Sequence, residues 1–191
     1  MIPVLPTDEA LKRAKEVKID ESWASLNAFR TMLNSPRVAG GFAEMLRTLM
    51  FHNVVSSRAR ELVILRIGWR TKSEYEFCQH VRVSRELKMS EPEILGVRDP
   101  DACAAYSAVD RAVIKMADEL HETSTVSPST WATLAQAFSN EELIELVLAA
   151  GLWRMVAGFF NAAKVPLDER CRAGPKARRP HKRMVRAPRK K

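Results

Sequence analysis

Residues 56–70 have the sequence SSRARELVILRIGWR, and this stretch decides the fold. Leu62, Leu65 and Trp69 recur at helical spacing within it. The aliphatic residues between them extend the apolar face almost all the way round, so a helix here needs neighbours on nearly every side. The sequence therefore predicts that residues 56–70 form the central helix of an all-helical domain.

Serine caps and prolines mark where the other helices begin. Ser35-Pro36 and Ser127-Pro128 each place a proline at the first helical position after a capping serine. Ser90 and Ser139 are each followed by a glutamate three residues later, which is the pattern of a capping box. No alternating run is long enough to favour a strand. The helices predicted on these signals cover about residues 35–51, 73–87, 104–122, 128–138 and 140–163, with a short helix after Ser90.

Length and composition favour a single domain followed by a basic tail. The chain has 191 residues, of which 46% are hydrophobic, and this is enough for one substantial core. Eleven of the 31 Lys and Arg residues lie in residues 170–191, which contain no Asp or Glu and leave 20 basic against 23 acidic residues in 1–169. We therefore expect a helical domain over 1–169 and a disordered polybasic tail over 170–191. Any contact with nucleic acid is expected only through that tail.

The N-terminus, the apolar windows and the cysteines favour a cytoplasmic protein. The stretch Met1–Pro6 lacks the basic and apolar segments of a secretion signal. The most apolar window, Leu143–Phe160, carries Glu145 and Arg154, which favours a buried helix over a membrane span. The cysteines are odd in number and widely spaced, which argues against a disulfide framework or a zinc cluster; they are Cys78, Cys103 and Cys171.

Three polar residues stand out on these apolar helices. Glu76 and His80 are four residues apart, so they share one face of their helix. Glu61 lies in the apolar run of the central helix, where a buried carboxylate needs a partner. A nearby histidine is the natural partner for sharing a proton. Spacing alone is weak evidence for a site, because exposed pairs four residues apart are common on helices.

Two patches of the sequence resemble a known family. Residues 60–66, Arg-Glu-Leu-Val-Ile-Leu-Arg, and residues 75–80, Tyr-Glu-Phe-Cys-Gln-His, are similar to the signature helix pair of the carboxymuconolactone decarboxylase family, which also contains alkyl hydroperoxidase D. The similarity continues through residues 131–134, 139–148 and 151–168, so it covers roughly residues 35–168. It implies an all-helical fold whose pockets lie near the subunit contacts of homotrimers or homohexamers. We expect such a pocket around Glu61, Glu76 and His80.

The resemblance also implies an altered redox site. The peroxidase branch of the family carries Cys-x-x-Cys-x-x-x-His and a glutamate upstream of the histidine. The histidine corresponds to His80 and the glutamate to Glu61, whereas Ser73 and Glu76 occupy the two cysteine positions. That chemistry needs a thiolate and a resolving thiol close by. Peroxide reduction by that mechanism is therefore not expected, and a peroxiredoxin-like antioxidant that uses Cys78 with an external thiol is the alternative.

The other branch of the family decarboxylates a carboxylated unsaturated lactone. The resemblance implies a cofactor-free lyase or isomerase for a small lactone or ring-derived acid, with His80 as general acid and base and Glu61 or Glu76 setting its pKa. No metal ion or organic cofactor is expected, and the two carboxylates make an acidic substrate less favourable. A non-catalytic oligomeric binding module is the third alternative. Weaker candidates for substrate contacts are Arg60, Arg66, Arg82 and Trp153, the last being a core or subunit-contact anchor first.

Overall fold

The computed structural model describes residues 1–172, and the secondary structure within them is helical. The predicted all-α fold class is confirmed for this part of the chain. Residues 173–191, which include most of the predicted basic tail, lie outside the described residues. The helices are α1 (Thr7–Glu16), α2 (Glu21–Ala24), α3 (Asn27–Met32), α4 (Pro36–Phe51), α5 (Ser57–Arg70), α6 (Glu74–Glu86), α7 (Glu91–Gly96), α8 (Ala108–Thr123), α9 (Pro128–Ala137), α10 (Asn140–Ala163) and α11 (Glu169–Arg172).

The central helix is α5, as predicted. It packs against α6, α8 and α10, and α8 also packs against α9 and α10. The side chains of Leu62, Val63, Ile64 and Leu65 are buried in succession, so α5 is covered on every side. Each such aliphatic side chain contributes about 1.5–3 kcal/mol when it leaves water. Glu61 lies in the same buried run, and the core therefore encloses the first of the candidate site residues.

Most of the predicted helix ends agree with the structure to within a residue. The prediction that a helix begins near residue 104 is wrong, because α8 begins at Ala108. The hydroxyl of Ser107 accepts a hydrogen bond from the backbone N–H of Asp110, and the Asp110 carboxylate accepts one from the backbone N–H of Ser107. This capping box fixes the start of α8. Serine followed three residues later by aspartate was a signal present in the sequence.

The first three helices were not expected from the sequence. Their N-cap residues are Pro6, Asp20 and Leu26, and none of these side chains makes a capping hydrogen bond. The local signal that marks the other helices is therefore missing here. These helices bury a second apolar cluster, which includes Ala10 and Leu33, against α4. Tertiary packing rather than a local cap holds them in place.

The helix α10 has two apolar faces. Its length and composition are sufficient to cross a membrane, since its most apolar window has a mean hydropathy of 1.7. Half of that window, however, is buried inside the protein. The buried face packs against α5, α6 and α8. The opposite face exposes Ile144, Leu148 and Met155. One face in the core and a second apolar face at the surface together account for the apolar composition of this helix.

Candidate active site

The candidate site lies between α5 and α6, which form a tight helical hairpin. Only residues 71–73 separate the two helices. Ser73 caps α6 by accepting a hydrogen bond from the backbone N–H of Glu76 at 3.5 Å. A side chain at Gly68 would place its Cβ 3.2 Å from the backbone nitrogen of Phe77, so glycine allows the helices to approach closely. The hairpin therefore brings the polar positions of α5 and α6 face to face.

Glu61 and His80 form a buried hydrogen-bonded pair. The distance from His80 Nδ1 to Glu61 Oε2 is 2.8 Å. Glu61 is 0% exposed and His80 is 8% exposed. Arg60 lies beside the pair, with its Nη2 3.4 Å from Glu61 Oε1, and it also donates to the backbone oxygen of Met50 and to the side chain of Asn53. The Glu61 carboxylate therefore has a cation at one oxygen and an imidazole at the other.

The second ring nitrogen of His80 faces two partners. Trp153 Nε1 donates a hydrogen bond to His80 Nε2 at 2.9 Å, and Glu76 Oε2 lies 3.5 Å from the same nitrogen. An indole N–H can only donate, so Nε2 carries no proton while the bond from Trp153 is made. The proton of the neutral imidazole then lies on Nδ1, where it is donated to Glu61. Trp153 and Glu61 together select this tautomer.

Burial changes the acidity of Glu76. Removal of its carboxylate from water is the largest effect, and it raises the pKa of Glu76 from an ordinary value of 4.5 to about 7. The attraction of His80 opposes this shift, and the repulsion of Glu61 adds to it. Near neutral pH, Glu76 is therefore present in both its protonated and its ionised form. A group with this property is suited to exchange protons with His80.

Two opposing effects act on the pKa of His80. Burial disfavours the imidazolium and lowers the pKa, whereas the charge and the hydrogen bond of Glu61, followed by the charge of Glu76, raise it. The carboxylates outweigh burial, and the pKa of His80 lies above its ordinary value of 6.5. The hydrogen bond from Trp153 favours the neutral ring. Protonation of Nε2 therefore breaks that bond and leaves Nε2 free to donate to Glu76 or to a substrate.

Two of the weaker candidates have partners outside this cluster. Arg66 forms two contacts of 2.7 Å with Asp118 of α8. Arg82 pairs with Glu86 on its own helix at 2.5 Å. The structure therefore commits both guanidinium groups to carboxylates other than those beside His80. The two weaker candidates that contact the Glu61–His80 pair are Arg60 and Trp153.

A cavity of about 440 Å³ lies elsewhere in the protein, beside α5, α8 and α9. Its charged lining includes Arg66, Arg111, Lys115 and Asp118. The three clustered acid–base residues do not line it, so this cavity is not the pocket expected around them. In the single chain those three residues are enclosed by the packing of α5, α6 and α10.

Cys78 lies on α6 between Glu76 and His80 in sequence, but its thiol faces the C-terminal segment. Its Sγ donates a hydrogen bond to the backbone oxygen of Cys171 at 3.4 Å, and the residue is partly exposed. Cys78 therefore lies on a different face of α6 from the acid–base pair. Within residues 1–172, no group of three or more His, Cys, Asp or Glu side chains is arranged to hold a metal ion.

The part of the chain that carries this cluster matches a known family. Residues 36–119 match the model described as the carboxymuconolactone decarboxylase family. This part of the chain belongs to that family. The match runs from the start of α4 into α8, so the carboxymuconolactone decarboxylase domain contains all three acid–base residues. None of the curated proteins matches the sequence.

Solved structures with the same fold are similar over more of the chain. An uncharacterized peroxidase-related protein from Silicibacter sp. TM1040 is 15% identical, with a TM-score of 0.73 and coverage of 90% of this chain and 94% of that one. An alkylhydroperoxidase AhpD core from Ralstonia eutropha JMP134, described as a peroxidase-related protein, is 16% identical, with a TM-score of 0.71 and coverage of 90% and 92%. A debrominase in complex with 2,3,4-tribromopyrrole is 13% identical, with a TM-score of 0.68 and coverage of 88% and 87%. These similarities show the alkyl hydroperoxidase D-like helical fold, as predicted.

Proposed function

We propose that the carboxymuconolactone decarboxylase domain is a cofactor-free lyase or isomerase that acts on a small carboxylated lactone or ring-derived acid. His80 carries the proton, and Glu61 and Glu76 are its partners. The observation that carries the proposal is the buried contact of 2.8 Å between His80 Nδ1 and Glu61 Oε2. A carboxylate that orients an imidazole in this way leaves the second ring nitrogen for general acid–base catalysis.

Decarboxylation of such a lactone needs one acid and no external oxidant. The bond from the ring carbon to the carboxylate breaks, carbon dioxide leaves, and the electron pair moves into the conjugated carbonyl as an enolate. The imidazolium of His80 then donates the Nε2 proton to carbon as the enolate collapses. Glu61 stabilises the imidazolium, and the neutral ring regains a proton from Glu76 or from water. An isomerase would use the same groups to remove a proton from one carbon and return it to another.

The charges around His80 are compatible with an anionic substrate. Two ionised carboxylates beside the imidazole would repel such a substrate. Burial, however, raises the pKa of Glu76 to about 7, so this group is partly neutral near physiological pH. The other carboxylate is that of Glu61. Arg60 Nη2 lies 3.4 Å from Glu61 Oε1, so the positive charge of Arg60 partly neutralises it. The cluster therefore does not present two unopposed negative charges.

Replacement of His80 by glutamine is expected to lower turnover of a carboxylated unsaturated lactone by about 10²–10⁴-fold, the usual contribution of a general acid or base. The measurement is carbon dioxide release from a panel of such lactones by the wild type, His80→Gln and Glu74→Gln. Glu74 is an exposed residue of the same helix, so its variant is the matched control and should behave like the wild type. Undiminished turnover by His80→Gln would contradict the proposal.

A second candidate function, peroxide reduction, rests on Cys78. The largest effect on the Cys78 thiol is that of the Cys171 side chain acting as a hydrogen-bond donor, which lowers the pKa of Cys78; burial opposes this shift, and the nearby Arg85 and Arg82 lower the pKa further. A thiol that ionises more readily forms the nucleophilic thiolate more readily. Two of the similar structures are described as peroxidase-related. The Cys78→Ser variant separates the two candidates, since only peroxide turnover depends on this thiol.

We further propose that the chain forms a homotrimer or homohexamer through the exposed face of α10. Ile144, Leu148 and Met155 are 59%, 49% and 60% exposed, and Gly151 and Gly158 are exposed beside them. These five residues follow one another at intervals of four and three, which is the spacing of a helix-packing seam. A Cβ added to either glycine would meet nothing within 4 Å. An apolar stripe of this kind is typical of a contact between subunits.

Leu148→Glu is expected to convert the oligomer to monomers, because it places a charge within the apolar stripe on α10, between Ile144 and Gly151. Light scattering at micromolar concentration measures the change in mass. Gln136→Glu adds the same charge at an exposed position of α9, and this control should keep the mass of the wild type. A wild-type chain that is monomeric under these conditions would show that the exposed face of α10 does not form a contact between copies of this chain.

A further inference from the structure

The C-terminal part of the described chain is fixed against α6. The carboxylate of Asp168 accepts hydrogen bonds from the Tyr75 hydroxyl at 2.6 Å and from Gln79 Nε2 at 2.5 Å. It also accepts one from the backbone N–H of Asn27 at 2.9 Å. Tyr75, Gln79 and Asp168 are buried, so these bonds are shielded from water. Asp168 therefore ties the start of α11 to the helix that carries Glu76 and His80.

This anchoring places a second cysteine next to Cys78. Cys171 is buried on α11, and its backbone oxygen lies 3.4 Å from Cys78 Sγ. The side chain of Cys171 is also close enough to Cys78 for each thiol to change the pKa of the other. The third cysteine, Cys103, instead contacts the backbone oxygen of Pro92. Cys78 and Cys171, which are 93 residues apart in sequence, are therefore neighbours in the fold, and the spacing of the cysteines did not indicate this.

The two thiols have different electrostatic surroundings. The hydrogen bond from Cys171 is the largest effect on Cys78, and it lowers the pKa of that thiol despite burial. For Cys171 the same bond acts in the opposite direction, and burial adds to it, so the pKa of Cys171 lies far above its ordinary value. Cys78 is also partly exposed whereas Cys171 is buried, so we assign Cys78 as the thiol that ionises first and meets the peroxide.

We propose that Cys78 and Cys171 form an internal dithiol that reduces a hydroperoxide and closes as a disulfide between α6 and α11. The inference rests on the second candidate function and deepens it, because a residue of the same chain takes the place of the external resolving thiol. It is independent of the lactone chemistry assigned to His80.

The reaction has two balanced steps. The Cys78 thiolate attacks the terminal oxygen of the hydroperoxide, so that an S–O bond forms, the O–O bond breaks and Cys78 becomes a sulfenic acid. The alkoxide departs and takes a proton from water. The sulfur of Cys171 then attacks the sulfur of Cys78, the S–O bond breaks, and hydroxide leaves with the Cys171 proton as water. The two thiols lose two electrons, and the peroxide gains them. Dithiothreitol, a small dithiol, returns the disulfide to the reduced pair.

The test treats the reduced full-length chain with one equivalent of cumene hydroperoxide. We expect an intact mass lower by two hydrogens, loss of two of the three free thiols, and a cross-linked peptide that pairs Cys78 with Cys171. Cys103→Ser is the matched control and should form the same disulfide. Cys171→Ser is expected to stop at the sulfenic acid of Cys78, which dimedone labels.

Two results would overturn the internal dithiol. A disulfide that includes Cys103, or a sulfenic acid on Cys78 that persists in the wild type without a disulfide, would exclude Cys171 as the resolving thiol and leave an external thiol in that role. A Cys78 that does not react with the hydroperoxide would exclude both the dithiol and the second candidate function. The wild-type chain alone distinguishes these results, so the test does not depend on the folding of a variant.

Discussion

Truncation of Glu61 to alanine is expected to lower the free energy of unfolding by about 3–5 kcal/mol, the usual cost of breaking a buried ion pair by removing one partner. Glu61 is fully buried, and Arg60 is 3% exposed. Without the carboxylate, the Arg60 cation loses its nearest opposite charge and His80 Nδ1 loses its hydrogen-bond acceptor. Urea unfolding followed by circular dichroism measures the loss.

One further variant separates the charge of Glu61 from its shape, and a second is a control at the protein surface. Glu61→Gln keeps the side-chain volume and an oxygen that can accept from His80, so we expect a smaller loss than for alanine. Glu16→Ala removes an exposed carboxylate at the end of α1, and its effect should stay within about 0.5 kcal/mol. If the free energy of unfolding of Glu61→Ala were as close to that of the wild type as that of Glu16→Ala, the Glu61 carboxylate would not stabilise a buried charge pair.

Stability is expected to fall as pH rises from about 4.5 to about 7, with Glu76 contributing about 3 kcal/mol of the change. The pKa of Glu76 is raised in the folded state, so the unfolded chain releases this proton first. The contribution is fully present below the ordinary pKa of 4.5 and is lost as pH passes through about 7. The pKa of His80 is also raised, and its contribution is likewise lost as pH rises above its ordinary value of 6.5.

The variant Glu76→Gln isolates this effect, because glutamine keeps the shape of the side chain and cannot ionise. We expect it to be more stable than the wild type at pH 8 and to show a flatter dependence on pH between about 4.5 and 7. The measurement is the urea midpoint at a series of pH values. A wild type whose stability rises across this window, or a variant with the same slope as the wild type, would show that Glu76 ionises normally.

The helical hairpin of α5 and α6 could be predicted because its signals are local. The apolar run around Glu61 marks a central helix, and the four-residue spacing of Glu76 and His80 places both on one face. The pairing of Glu61 with His80, nineteen residues apart, is a tertiary contact. Periodicity alone carries no information on such a contact, and the family resemblance supplied it.

The parts of the site that depend on distant packing could not be predicted. Trp153 lies 73 residues after His80, and its role as a hydrogen-bond donor depends on how α10 packs against α6. The raised pKa of Glu76 depends on how completely the helices exclude water, which spacing does not reveal. Composition groups Cys171 with the basic residues of 170–191, whereas the structure buries it beside Cys78 because Asp168 anchors the preceding segment.

The most direct test of the acid–base site is a pH titration of His80 by nitrogen NMR on histidine-labelled protein. The His80→Gln variant identifies the signals among those of the four histidines. The structure predicts a neutral ring with its proton on Nδ1, because Nδ1 faces Glu61 and Nε2 accepts from Trp153. It also predicts a pKa above the ordinary value of 6.5 that decreases in Glu61→Gln. A neutral ring protonated on Nε2, or a pKa at or below 6.5 that is unchanged in Glu61→Gln, would contradict the account.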